Sequence, residues 1–477
     1  MDVLKLLANV EIVKVENYKK TDAVGVESDS RKSVEGKLFF CLKGSAFDGA
    51  EFAAEAERNG AAAIVSEREV SVSIPLFLVK NARKAFAIAC GNLYDNPAGK
   101  MNVVTVVGTN GKTSTTEILS SIFSYAGFKT ATVGTLGYKI DGERKEGVLT
   151  TPDPIDLHYN LSRMFKQGVE YVFMEASAHA IHYDKLAGIK AKAGILTNIT
   201  QDHLDFFGNM KRYADVKLSY FCHPNTALAV VNSDDPYAVR LLEDPKVPTI
   251  SYGIDNPADV FAIDVEDGKK GLSFTINAFD CIFDIACPLC GIFNLYNIMA
   301  ATATAMYMGI GAETIKKALA NMEKIPGRYD VRYLRARRVV IDYAHTPDGL
   351  SNLLRAVRSR ADGSVFTVFG CGGNRDKTKR PLMGKIASEY SDFTIVTNDN
   401  PRFEKEETIA SEIASGIPSG SKFEIVLDRA AAIHRAFELS KSGDVIVIAG
   451  KGHETYMDIK GEKIPYSDEE ILRELEE

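Results

Sequence analysis

The chain has 477 residues, 45% of them hydrophobic and 25% charged, the balance of an ordinary globular protein; at ~100–200 residues per domain that means two to four domains. With 57 Lys and Arg against 64 Asp and Glu the net charge is −7, which argues against a dedicated binder of nucleic acid or of an anionic membrane while leaving room for a local phosphate pocket. No apolar run reaches the ~18 residues of a membrane span. Residues 1–20 lack the apolar core and cleavage site of a secretory signal. Seven scattered cysteines fit a reducing compartment, so a cytoplasmic protein without membrane insertion is expected. Cys287-Pro-Leu-Cys290 is a lone CxxC with no second pair spaced for zinc, and reads as buried strand-end cysteines.

Three regions follow one another. Residues 1–98 mix short strand-like runs (Lys37–Leu42, Ala62–Val65, Leu76–Val79) with alanine-rich helical patterns such as Phe52–Arg58, and predict a small α/β domain. Asp95–Gly99 is turn chemistry and a candidate linker. Residues 99–326 open on the β-branched run Asn102–Val107 and continue with alternating strand and helix patterns to Pro326-Gly327. In residues 327–477 four apolar runs, Val339–Ala344, Val365–Phe369, Phe393–Val396 and Val445–Ala449, alternate with helical patterns. That rhythm is βαβ, hence a parallel sheet. The fold class expected is therefore α/β in three domains.

Gly108-Thr-Asn-Gly-Lys-Thr113 stands between the Val103–Val107 run and a helical pattern through Thr116, Ile118, Leu119, Ile122 and Phe123. Strand, glycine loop and helix is the setting a phosphate cradle needs, because glycines let backbone N–H groups turn inward and the helix N-terminus adds positive potential. Gly108, Thr109, Asn110, Gly111, Lys112, Thr113 and Ser114 are candidates for ATP, with Lys112 reaching the β/γ-phosphates and Thr113 ligating Mg²⁺. The full Walker pattern wants glycine at 106, where this chain has Val106, so only the shorter G-x-x-G-K-T form is present. An ordinary strand–turn–helix corner is the bland alternative.

Tyr171–Glu175 reads as a strand ending in a carboxylate, and Ile195–Asn198 as another strand end followed by Gln201-Asp-His-Leu-Asp205. Strand ends beside a P-loop are where an ATP-bound metal finds ligands, which singles out Glu175 and His203. Lys217 lies in the helical pattern Tyr213–Tyr220, where spacing alone reads as a snorkelling surface lysine.

Taken in order, Ser28-Asp-Ser-Arg31, Gly108–Thr113, Met174–His179, Thr197-Asn198 with Asp202–Asp205, Asp342–Pro347, Gly370–Asp376, Asp399–Arg402 and Gly450–Glu454 resemble the Mur ligase family of ATP-dependent peptidoglycan amide ligases over essentially the whole chain. The resemblance implies a smaller α/β N-terminal UDP-binding domain, a central P-loop ATPase-type parallel-sheet domain and a C-terminal Rossmann-like domain that binds the amino acid. It implies a cytoplasmic, monomeric enzyme that adds meso-2,6-diaminopimelate to UDP-N-acetylmuramoyl-L-alanyl-D-glutamate through an acyl phosphate. By motif, Lys217 matches the lysine the family carbamylates to ligate a second Mg²⁺, beside Thr113, Glu175 and His203. Asn294, Arg328 and His345 match nucleotide contacts. Ser30, Thr150, Thr151 and Ser177 match contacts to the UDP-sugar dipeptide. Lys185 stands where the family usually has arginine, Tyr183 where one branch has glutamine, and Ala178 where serine is common.

All three C-terminal motifs follow apolar strands, and in an open parallel sheet the ligand sits beyond the carboxyl ends of the strands. Arg375 and Arg402 supply guanidinium forks for carboxylates and Glu454 an acceptor for an ammonium. Asp399, Asn400, Pro401 and Gly450 complete the loops. The Asp-Asn-Pro-Arg run resembles the diaminopimelate-specific branch, since Asn400 offers an amide donor where a carboxylate would repel a second carboxylate. The same ligation with L-lysine, a folylpolyglutamate-type ligase, and a P-loop ATPase without ligation are the alternatives.

Overall fold

The computed structural model describes residues 1–44, 47–147 and 149–476. Among the described residues three large sheets follow one another along the chain, with a two-stranded hairpin, Tyr456–Ile459 and Glu462–Pro465, near its end. The first has five strands in the order Ile12–Glu16, Leu76–Val79, Ala63–Ser66, Lys37–Phe40, Gly25–Glu27, parallel except for the first. Strand interiors such as Leu76–Val79 are buried throughout, as the continuous apolar runs require when helices cover both faces. Ala53–Arg58 is helical, and Ala82–Leu93 packs on the sheet through Ala82, Ala85, Phe86 and Ala89.

The second sheet has eleven strands, and Asn102–Val107 lies near its middle, between Ala193–Leu196 and Tyr171–Ala176, parallel to both. Three strand ends thus open side by side: Val107 into the glycine loop, Ala176 just past Glu175, and Leu196 into Thr197 and Asn198. The sequence pattern anticipates this parallel centre but not its edges. Val260–Gly268, Gly271–Ala278 and Cys281–Cys287 form an antiparallel meander, and Gly137–Ile140 and Glu143–Lys145 a hairpin on the other edge. The reason lies in alternation: Gly271–Ala278 buries every second residue, Leu272, Phe274, Ile276 and Ala278, as a half-solvated antiparallel strand does. Cys287 ends a strand, buried, and all seven cysteines are free.

The third sheet runs Asp330–Leu334, Arg337–Asp342, Val445–Ala449, Val365–Phe369, Phe393–Val396, Phe423–Ile425, parallel beyond the first pair. Val339–Asp342 keeps the expected strand, while Tyr343 and Ala344 leave it. Among the described residues no helix is long and apolar enough to cross a membrane.

Candidate active site

The glycine loop is shaped by contacts that only glycine allows. A Cβ on Gly108 would overlap the Thr197 hydroxyl, and one on Gly111, at φ +83°, would overlap the Asn297 amide. Lys112 opens the helix Lys112–Tyr125, and its ammonium donates to the loop's own carbonyls, Gly108 O at 3.0 Å and Thr109 O at 2.9 Å. Burial pushes its pKa down, against the pull of Glu175 and Asp202. The Thr113 hydroxyl donates to Glu175 Oε1 at 2.8 Å, and the same oxygen accepts the Thr135 N–H at 2.9 Å. Thr135 Oγ1 donates to Glu175 Oε2 at 3.0 Å.

On the neighbouring strand end, Asp202 is buried and gathers one ammonium and two imidazoles: Lys379 Nζ at 3.6 Å, His203 Nε2 at 3.2 Å and His345 Nε2 at 3.9 Å. Burial alone would raise the Asp202 carboxyl; those neighbours hold it well below the usual carboxylate range. Burial drives His203 down to about 3 despite Asp202, and lowers His345 too, so both imidazoles are neutral near pH 7. Neutral imidazole is the form that binds metals.

Lys217 is not a surface lysine. It is fully buried on the helix Met210–Leu218, with its ammonium 4.2 Å from the Tyr213 ring centroid and donating to Thr109 Oγ1 at 2.9 Å. Desolvation, reinforced by repulsion from Lys112, pushes its pKa well below the ordinary lysine value.

The C-terminal loops carry a denser set of charges. Arg375 donates only to the Asn374 carbonyl, at 2.9 Å, and pairs with no carboxylate among the described residues. Arg402, at φ +51°, donates to Gly373 O at 2.9 Å and lies 3.5 Å from Asp458. Asn400 Nδ2 donates to Glu454 Oε2 at 2.9 Å, while Asn400 Oδ1 accepts from Lys451 Nζ at 3.2 Å and Asp458 N at 2.8 Å. Both partners of that oxygen are obligate donors, so the amide orientation is fixed. Lys451, wholly buried, also reaches Glu454 Oε2 at 2.8 Å. Burial opposes ionisation of Asp399, but Lys451 and Arg429 outweigh it and hold the carboxyl low. A Cβ on Gly450 would press on Asp399 Oδ2 at 2.7 Å.

These groups line one cavity of about 850 Å³ between the second and third sheets. Thr109–Ser114, Thr150, Glu175, Ser177, His203, Arg328, His345, Arg375, Asp399, Asn400, Arg402, Gly450 and Glu454 face it. Gly108, Thr151, Lys217, Asn294 and Pro401 stand behind that surface. Thr151 Oγ1 donates to the Glu175 carbonyl at 2.9 Å and accepts the Ser177 N–H at 3.0 Å, so it braces the strand end. Asn294 is buried against the Cys290 carbonyl and accepts from Asn297, which is the amide at the cavity wall. Lys185 pairs with Asp153 at 2.7 Å, and Ser30 lies beyond the first sheet, next to the Asp29–Arg31 pair. Sequence reasoning missed Asp202 as a hub, Lys379, Asn297, Lys451 and Asp348, which accepts from Asn110 Nδ2 at 2.8 Å. Asp202 stands in sequence as the first residue of the Asp202–Asp205 motif; its role arises from Lys379 and His345, ~140–180 residues away, and no local pattern signals it.

Thr113 and Glu175 offer hard oxygens at a phosphate cradle, and among the described residues no group of three or more His, Cys, Asp or Glu side chains could hold a metal unaided. A hydroxyl and a carboxylate are the kind of ligands Mg²⁺ uses, with water and phosphate oxygens completing its shell.

The sequence matches the description "Mur ligase family, catalytic domain" over residues 23–106, "Mur ligase middle domain" over 106–305 and "Mur ligase, glutamate ligase domain" over 327–452. It is 40% identical over 461 residues to the UDP-N-acetylmuramoyl-L-alanyl-D-glutamate--2,6-diaminopimelate ligase of Geobacillus thermodenitrificans, covering 95% of this chain and 94% of the relative. The Bacillus cereus protein of the same name is 38% identical over 99% of this chain and 97% of its own. A solved structure with that ligase name superposes with a TM-score of 0.68 at 31% identity, over 95% of this chain and 94% of the other. With cradle, strand-end carboxylate and C-terminal loops converging as described, the chain belongs to the Mur ligase family.

Proposed function

We propose that the chain is the ATP-dependent ligase that joins meso-2,6-diaminopimelate to UDP-N-acetylmuramoyl-L-alanyl-D-glutamate in cytoplasmic peptidoglycan precursor synthesis, acting as a monomer. One observation carries the reading: the glycine loop and a pocket rich in both signs of charge open on the same cavity. Residues 1–98 are assigned to the UDP moiety, 99–326 to ATP, and 327–477 to the amino acid. Ser30, Thr150, Thr151, Ser177 and Lys185 are assigned to the acceptor.

The γ-phosphoryl group of ATP passes to the γ-carboxylate of the D-glutamyl residue, releasing ADP. The neutral α-amine of diaminopimelate attacks the acyl carbon, a tetrahedral intermediate forms, the C–O bond breaks with its electron pair going to the departing phosphate, and the amine's proton passes to that phosphate or to solvent. Lys112 and Arg328 supply fixed positive charge where phosphoryl oxygens gather. Mg²⁺ bound by Thr113 and Glu175 would neutralise phosphate charge. Lys217, its amine kept neutral by burial, is assigned as the site that takes up CO₂, losing a proton to become a carbamate next to Thr109 of the glycine loop. The rest is positioning of amine against acyl carbon.

Arg375, without a carboxylate partner among the described residues, and the fixed N–H face of Asn400 favour a substrate with a second carboxylate over L-lysine. The test is an amino-acid panel at fixed ATP and UDP-sugar dipeptide, reading product mass. Diaminopimelate is expected to give the dominant adduct; phosphate release independent of any amino acid, or a preference for lysine, rejects the assignment.

A further inference from the structure

Glu454 is held unevenly. Its Oε2 accepts two short bonds, from Lys451 at 2.8 Å and Asn400 at 2.9 Å, whereas Oε1 has a single long partner, the Tyr343 hydroxyl at 3.3 Å. Oε1 is therefore the oxygen open to an arriving ammonium, and Tyr343 shares it.

The other side of Tyr343 meets the nucleotide half. Arg328 lies over its ring, with the guanidinium carbon 4.4 Å from the centroid. Arg328 Nη2 donates to Thr113 Oγ1 at 3.0 Å, and Thr113 in turn donates to Glu175. Among the described residues Arg328 has no ion pair, and its Nε is buried without a partner. The direction of this guanidinium is thus set by one hydrogen bond and one aromatic face. The Tyr343 N–H also donates to the Gly327 carbonyl at 2.9 Å, pinning the turn that delivers Arg328, and a Cβ on Gly452 would crowd Tyr343 Cβ at 2.9 Å. Hydroxyl, ring and backbone of one residue thus meet the amino-acid pocket, the arginine and the turn at Gly327.

We propose that Tyr343 is a positioning residue that joins the two halves of the site, its hydroxyl setting how Glu454 receives the substrate ammonium and its ring aiming Arg328 at the phosphate cradle. The proposal rests on the functional reading above, in which Glu454 faces an amino-acid substrate and Thr113 faces ATP. It separates two duties within one side chain, which a purely structural tyrosine would not do.

Tyr343→Phe removes the hydroxyl alone and keeps the ring. It is expected to raise KM for diaminopimelate about 5-fold, the worth of one hydrogen bond, with kcat and KM for ATP within twofold of wild type. Tyr343→Leu removes the ring as well and is expected to add a fall in kcat of at least ~10-fold as Arg328 loses its aim. An unchanged diaminopimelate KM in the phenylalanine variant, confirmed folded by its melting curve, overturns the proposal even if the leucine variant does not fold. So does a phenylalanine variant whose kcat falls as far as that of the leucine variant. Wild-type protein that ligates no amino acid at all fails the functional reading, and this inference falls with it; wild-type ligation with an indifferent Tyr343→Phe fails this inference alone.

Discussion

At the strand ends of the second sheet, Lys112 and Lys217 donate only to uncharged oxygens, two loop carbonyls and a threonine hydroxyl. Behind the loops of the third sheet, Arg429, Arg380 and Lys451 each close on a carboxylate: Asp468, Glu404 with Glu412, and Glu454. Both regions present a ligand crevice at the carboxyl ends of parallel strands, so topology does not explain the contrast. Partner charge does. A buried cation with a protein carboxylate is scaffold, because the pair cancels locally. A buried cation without one must find its anion in a ligand or give up its proton. By that criterion Arg328, half-buried and without an ion pair among the described residues, belongs with Lys112 and Lys217 as a group that faces something not made by this chain; Arg375, exposed at the cavity wall, likewise pairs with no carboxylate among them, but water as well as a ligand can satisfy it.

The comparison is broken most severely by removing a scaffold partner. Arg429 and Asp468 are both fully buried and bidentate, at 2.8 Å for each bond, and Arg429 also donates to the carbonyls of Asn398 and Ala449, at the ends of the strands that lead into Asp399 and Gly450. Asp468→Asn leaves an uncompensated guanidinium and is expected to cost about 3–5 kcal/mol of stability, read as a lowered denaturation midpoint; a loss below ~1 kcal/mol would show that the pair is not scaffold. Lys217→Met goes the other way. It is expected to lower ligase activity at least ~100-fold, with partial rescue by short carboxylic acids. Because desolvation disfavours the ammonium, the folded state takes on a cost there at pH 7 that methionine does not carry, so the melting temperature should rise. Full activity in this variant removes the carbamate assignment, and a fall in melting temperature removes the charge argument.

The two halves were unequally legible. Gly108–Thr113 is contiguous, and its strand, loop and helix are fixed by β-branched residues and by glycines that must pass close to Thr197 and Asn297, so a local reading reaches both the element and its purpose. The parallel strands of the third sheet were legible for the same reason, as continuous apolar runs between helical patterns. Lys217 could not be told from a surface lysine by spacing. Its burial comes from Tyr213 on its own helix and Thr109 over 100 residues away, a packing fact that leaves no periodic trace. Lys451 and Asp202 were passed over for the complementary reason: each looks like a neighbour within a motif until distant partners converge on it.

His158 sharpens the rule where no ligand is in play. It is 2% exposed on the helix Pro154–Lys166, neither ring nitrogen has a hydrogen-bond partner among the described residues, and it packs against Gly91 of the helix Ala82–Leu93. Burial lowers its pKa to about 4 from 6.5. The unfolded chain therefore binds a proton at this residue between pH 6.5 and 4 while the folded chain does not. Its contribution to stability is intact above pH 6.5 and falls away on acidification, by about 3 kcal/mol at pH 4. His158→Leu should flatten that part of the stability–pH curve; an unchanged slope would mean that the imidazole charges in place and that an unpartnered buried base need not stay neutral.

The smallest effect expected is also the most selective. Arg375→Lys keeps a positive charge at the cavity wall but replaces a planar two-pronged donor by a point charge. If Arg375 is unpaired because a substrate carboxylate is its partner, the change costs the second of two parallel hydrogen bonds, and kcat/KM for diaminopimelate should fall about 10-fold while KM for ATP stays put. Lysine, which lacks the distal carboxylate, then serves as an internal control. Should Arg375 grip that distal group, ligation of lysine is indifferent to the change and the preference between the two amino acids narrows by the same factor. Should it grip the α-carboxylate that both share, the two fall together and the preference is unmoved. Either result keeps Arg375 among the ligand-facing cations, and a variant with wild-type kinetics toward both would return it to the scaffold.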